Sequence, residues 1–170
     1  MRALVLAAVV ALAFAGCGGG DGSAPGSGYE VDLPEGWSDV TDEAEDAESP
    51  IRFDRVFARK RKDGFATNVN VIRERLPEGA TLKQIEGYAP EQLRAFGATD
   101  IRPARRTEIG GGPATAREYR IDVGQGPLRG KQLQTVHGKR VYTITLTARA
   151  GAFDSHVAGF EAILDSWRWD

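Results

Sequence analysis

Side chains able to do chemistry are few in this chain. Among 170 residues there are two histidines, His137 and His156, and one cysteine, Cys17. The histidines lie 19 positions apart, and neither has a carboxylate or second imidazole at the spacing by which a helix presents metal ligands. Ser155 directly precedes His156, and adjacent side chains diverge too far to work as nucleophile and base. A Gly-x-Ser-x-Gly elbow is also missing from the sequence. The run Gly110-Gly111-Gly112 precedes a strand pattern rather than a helix and lacks the Gly-Lys-Ser/Thr ending of a phosphate loop, so it reads as a turn.

Two charged runs stand out. Asp39–Glu48 holds six carboxylates but lacks the alternating oxygen ligands and central glycine of a calcium loop, which predicts a solvated loop or short exposed helix. Arg59, Lys60, Arg61 and Lys62 are four adjacent cations that repel one another and stay exposed. They are suited to anionic lipid head groups, at about 1 kcal/mol each near a charged surface. Docking on the acidic segment, or simply keeping a hairpin tip soluble, are the other readings. No catalytic residue, metal site or cofactor is implied. A lone cysteine excludes a disulfide framework and a cysteine-based zinc site. With 27 % charged residues and a net charge of −2, the chain is neither a disordered polyanion nor a basic nucleic-acid binder.

That cysteine sits at a telling place. Met1-Arg2 supplies one positive charge, and Ala3–Ala15 is an unbroken run of 13 apolar residues. As a helix the run would span about 20 Å, short of the roughly 30 Å hydrocarbon core, so it reads as the apolar region of a secretory signal. Ala15-Gly16-Cys17 ends the run and resembles the bacterial lipobox, with Phe14 where Leu, Val or Ile is usual. The resemblance implies cleavage before Cys17 and acylation of its thiol. An ordinary signal peptide with an incidental cysteine is the plainer reading. Two or three acyl chains would hold a protein on a bilayer, at about 0.8 kcal/mol per buried methylene. Residues 17–28, rich in Gly and Ser, then form a flexible tether with a reach of about 20 Å.

Residues 29–170 read as one domain. Removing residues 1–16 removes 14 apolar residues and leaves 56 of 154, about 36 %, enough for a modest core. Tyr29–Leu33 alternates apolar and polar residues as a half-buried strand does, and stops at Pro34-Glu35-Gly36. Further strands are expected at 51–59, 67–75, 100–109, 114–123, 131–137 and 140–148, paired as hairpins through Asp63-Gly64, Gly110–Pro113 and Gly138. Tyr142, Ile144 and Leu146 share one face of the last strand, and Thr143, Thr145 and Thr147 the other.

Two helices complete the pattern. Thr81-Leu-Lys-Gln84 is a capping box opening a helix that Gly97 ends, with Pro90 predicting a kink or two short helices. A second helix is expected from about 154 to 167, with Phe153, Val157, Phe160, Leu164 and Trp167 on one stripe. Trp37, just beyond the first turn, is either a core plug or a surface interaction residue, and Trp169 lies next to the C-terminus. The fold class is α+β: an antiparallel sheet of about six or seven strands with helices packed on it.

Leu33-Pro34-x-Gly36-Trp37, the Thr81-Leu82 helix, Gly112-Pro113-Ala114 and Ile163-Leu164-Asp165-Ser166-Trp167-Arg168 follow an order that resembles the PsbP-like superfamily, in particular its small bacterial lipoproteins of the LpqN and DcrB type. The resemblance implies an α/β/α sandwich, no known catalytic centre, and a role in protein association or accessory assembly. The expected function is a membrane-anchored, extracytoplasmic lipoprotein that binds an unidentified protein partner or envelope assembly and no nucleic acid. A carrier of a small apolar ligand, which needs a sheet–helix cavity of several hundred Å³, is the alternative. A hydrolase using Ser155 and the histidines ranks last.

Overall fold

A computed structural model describes residues 23–25, 28–44, 51–59, 65–122, 124 and 126–170. Cys17, Lys60, Arg61 and Lys62 lie outside them, as do Asp63-Gly64 and residues 45–50 of the acidic segment.

The strands are β1 (Ser23–Pro25), β2 (Tyr29–Asp32), β3 (Trp37–Asp39), β4 (Arg55–Arg59), β5 (Asn68–Arg75), β6 (Arg105–Ile109), β7 (Gly112–Asp122), β8 (Pro127–His137), β9 (Arg140–Arg149) and β10 (Arg168–Trp169). The helices are α1 (Thr41–Ala44), α2 (Leu82–Ala95) and α3 (Asp154–Asp165). A seven-stranded antiparallel sheet runs β3-β4-β5-β9-β8-β7-β6, and β1-β2-β10 form a small second sheet. The long hairpins dictate the middle of this order, because alternating strands joined by tight turns pair with their neighbours.

Side-chain alternation separates two unlike faces. In register, Val69, Leu146, Val71, Ile144 and Leu133 point to one side, where they meet Phe153, Phe160 and Ile163 of the α3 region, Trp167, and Tyr29 and Val31 of β2. Ile163 takes the buried place on the helix stripe and Leu164 is half-buried, one position from the expected stripe. The opposite face carries Asn68, Asn70, Thr143, Thr145, Thr147, Gln132, Gln134, Thr115 and Arg117, all buried. It is covered by α2, whose Ile85 packs with Val141 and whose Leu93 packs with Tyr119, Ile121 and Leu128. The α/β/α layering is therefore present.

Several expectations need correction. Ser23–Pro25, expected within the spacer, pairs with Glu30–Asp32, since the backbone of β2 offers a free edge that needs no particular side chains. The strand expected at 100–109 begins only at Arg105. Thr99 and Arg102 do hydrogen-bond to Arg120 and Glu118, but Pro103 has no N–H to continue the ladder.

Helix α2 is a single element despite Pro90. The Thr81 capping box forms, with the Gln84 amide N–H donating to Thr81 Oγ1 and the Thr81 N–H donating to Gln84 Oε1 at 2.9 Å. Pro90 cannot donate to the Glu86 carbonyl. In its place the Arg117 guanidinium, reaching up from β7, donates to that oxygen at 2.9 Å. The carbonyl orphaned by the proline is satisfied from the sheet, and the helix need not break.

Candidate functional site

The candidate catalytic groups do not converge. Ser155 Oγ donates to the Ala152 carbonyl at 2.7 Å, at the start of α3. His137, at the far end of β8, stacks on Trp169 with ring centroids 4.2 Å apart and planes 4° from parallel. His156 Nδ1 faces Arg59 Nη1 at 3.5 Å. Burial first, and the Arg59 charge second, hold the His156 imidazole below its usual range. Among the described residues no group of three or more His, Cys, Asp and Glu could hold a metal ion.

Trp37 is 3 % exposed and packs against Gly159 of α3, so it is a core plug and not a surface anchor. Its corner is closed by its own N–H, which donates to the Pro34 carbonyl at 3.1 Å. Arg59, its cross-strand neighbour, is exposed. Trp169 is half-buried and joins Tyr29, Tyr142 and Trp167 in an aromatic cluster that fixes the C-terminal strand across the mouth of the β8–β9 hairpin. Tyr29 and Trp167 stack at 4.0 Å within it. Of the acidic segment, Asp39 accepts from the Thr41 N–H and hydroxyl at the start of α1, while Asp42 and Glu43 are solvated.

The concave site is elsewhere. On the apolar face α3 does not reach the β6 edge, and a half-open groove of about 660 Å³ remains there. Ala116 and Leu133 form its floor; Arg105, Lys131, Glu161 and Asp165 are among its walls. Ion pairs fix one side: Lys131 to Glu161 at 3.0 Å, Arg102 to Glu118 at 3.4 Å, and Arg129 to both Glu118 and Asp154 at 3.0 and 2.9 Å. Arg129 also lies over the Phe153 ring at 4.1 Å, which anchors the network on the core.

The volume is within the range of ligand pockets, but the charged, open lining is unlike an enclosed apolar cavity. It offers hydrogen bonds and opposite charges to a polar segment laid along it. The sequence marks none of these groove residues as a binding residue; Leu164 and Asp165 enter it only through the helix stripe and the terminal motif. They come from four separated stretches that the sheet order and the packing of α3 unite, and the local signal in the sequence is the cluster Arg102, Arg105 and Arg106.

No protein-family model matches the chain, and no curated protein matches it. Solved structures do. The solution structure of cyanobacterial PsbP (CyanoP) from Synechocystis aligns with a TM-score of 0.64 at 19 % identity, covering 92 % of this chain and 98 % of that one. The crystal structure of LpqN, involved in cell envelope biogenesis of Mycobacterium tuberculosis, aligns with a TM-score of 0.61 at 14 % identity and covers 85 % of both chains. A Bacteroides thetaiotaomicron protein aligns at a TM-score of 0.55 and 13 % identity, over 88 % of this chain and 49 % of that one. The fold is thus PsbP-like, as the terminal and mid-chain motifs imply. At these identities the likeness shows the fold alone, and function must be argued from the site.

Proposed function

We propose that the protein is an extracytoplasmic lipoprotein, held at the outer face of the cell membrane by an acylated Cys17, whose PsbP-like domain is a non-enzymatic accessory module for a protein or envelope assembly. The observation that carries this reading is the position of the only thiol, directly after an apolar run too short to span a bilayer and before a Gly/Ser stretch. The likeness to LpqN, a protein involved in cell envelope biogenesis, supports an envelope location. The half-open charged groove supports binding of a polar partner segment over storage of an apolar ligand. In this reading Arg59 and the cations that follow it, Lys60, Arg61 and Lys62, contact anionic head groups at the membrane surface.

Mass spectrometry of the N-terminus from membranes tests the anchor. A peptide beginning at Cys17 with acyl mass is expected; an unmodified terminus elsewhere overturns it. The accessory role is tested by cross-linking in envelope membranes from groove positions such as Glu161 and Asp165. A discrete adduct that disappears with Arg105→Glu is expected, and the same adducts from exposed positions on α2 would overturn it.

A further inference from the structure

Strand β6 ends the large sheet, and Arg105–Glu108 are all exposed while only Ile109 is buried. The turn that follows is the two-residue type in which both positions need left-handed backbone: Gly110 and Gly111 have φ of 54° and 73°. Such a turn closes on a hydrogen-bonded pair, here Ile109 and Gly112. Backbone groups alternate in direction along a strand, so Ile109, Thr107 and Arg105 spend their N–H and C=O groups on β7. Arg106 and Glu108 therefore aim theirs out of the free edge.

Exposed edges are ordinarily guarded by charges that repel a second copy. Here the guard is self-complementary. Arg106 and Glu108 lie on the same face, on either side of Thr107, with opposite signs. Neither belongs to an ion pair among the described residues. We propose that β6 pairs antiparallel with β6 of a second copy of this chain about a two-fold axis at Thr107, joining the large sheets of two copies.

In that register each Arg106 faces a Glu108 of the other copy, and both pairs are the hydrogen-bonded kind. Thr107 faces Thr107 at the closer, non-hydrogen-bonded separation. Shifting the axis to residue 106 or 108 sets like charges face to face, as does an in-register parallel pairing. Charge selects one arrangement, and the interface is isologous and closed. The groove runs along the same edge, with Arg105 and Thr107 in its lining, so no described element covers β6. This association stands apart from the accessory role above.

The full chain carrying Cys17→Ser, in mild detergent, tests it by cysteine cross-linking. Thr107→Cys should give a disulfide-linked dimer under mild oxidant, since the facing Cα atoms lie within disulfide reach. Glu91→Cys, exposed on α2, is the control and should give at least tenfold less. Adding Glu108→Arg to Thr107→Cys should lower the yield at least tenfold, and Arg106→Glu together with Glu108→Arg should restore it to within twofold. Cross-linking at Thr107→Cys no better than at Glu91→Cys overturns the proposal. So does a double charge reversal that behaves like the single one.

Discussion

The contact between Arg117 and the Glu86 carbonyl makes a quantitative prediction about how this fold tolerates a proline in the middle of a helix. Arg117 is 5 % exposed, and its guanidinium donates to the Glu86 carbonyl in place of the N–H that Pro90 lacks. Burial lowers its pKa, and the nearby Glu86 charge opposes that shift; the group remains charged. A hydrogen bond to a charged donor contributes about 1.5–3 kcal/mol, and a carbonyl left unpaired in the interior costs about 1–3 kcal/mol. Replacing Arg117 with Met keeps most of the stem volume and removes the donor, so a loss of about 2 kcal/mol is expected. Pro90→Ala returns an N–H to the helix and relieves the ring clash, which is worth up to about 3 kcal/mol in a helix interior. In that background the Glu86 carbonyl has a partner of its own, and Arg117→Met should cost less than about 1 kcal/mol. The coupling between the two sites is therefore about 1 kcal/mol or more, well above the scatter of independent sites. Urea unfolding of the four proteins of the cycle measures it. Additive effects within about 0.5 kcal/mol would show that the bond does not support the helix, and a stabilising Arg117→Met would show that desolvation of the guanidinium outweighs it.

Other predictions concern single sites. Thr145 is fully buried and its hydroxyl has no hydrogen-bond partner among the described residues, so Thr145→Val should stabilise the domain by about 1 kcal/mol, read as a higher urea midpoint; a lower midpoint would reveal a partner for that hydroxyl. Gly130 lies under the buried Tyr119 ring, and a Cβ placed there would stand 2.6 Å from the phenol oxygen, so Gly130→Ala should lose about 1–3 kcal/mol through displacement of the ring. His156 should titrate below the usual 6.5 in the folded protein, seen by NMR, and Arg59→Gln should raise it only part of the way because burial is the larger cause. The unfolded chain then binds more protons than the folded one in the window between the folded value and 6.5. Stability from this group falls as pH drops through that window, and a His156 that titrates at or above 6.5 would refute the assignment.

The elements that could be read from the sequence were those whose signal is local. The capping box at Thr81, a turn within Gly110–Pro113, and an amphipathic helix near 154–167 each follow from residues within a turn or two of each other. The terminal Ile163–Arg168 motif pointed to the PsbP-like fold for the same reason. What could not be read depends on distant partners. Pro90 predicts a kink until Arg117, 27 positions further on, is known to lie beneath Glu86. The groove is assembled by sheet order. Trp37 has two readings in sequence, and only packing against Gly159 decides between them. The alternation on β9 separates two faces, but it does not say that the threonine face is covered.

That covered polar face has a dynamic consequence. Layer α3 brings Phe160 and Ile163, flanked by Phe153 and Trp167, onto an aliphatic surface. Layer α2 brings Ile85, Ala89 and Leu93 onto a face that carries Thr143, Thr145, Thr147, Gln132 and Gln134 beside the apolar Val141, Tyr119, Ile121 and Leu128. Apolar burial contributes about 25 cal/mol per Å², while these hydroxyls and amides regain water when uncovered, so lifting α2 costs less than lifting α3. The proline removes one further hydrogen bond from α2 itself. Local openings follow the weakest layer. Amide exchange should therefore show α2 residues exchanging through an opening of lower free energy than global unfolding, with α3 and β9 amides exchanging only on global unfolding. Arg117→Met should speed exchange in α2 and leave the difference between α3 and global unfolding unchanged. Equal protection in the two helices would mean that the polar face holds its helix as firmly as the apolar face does.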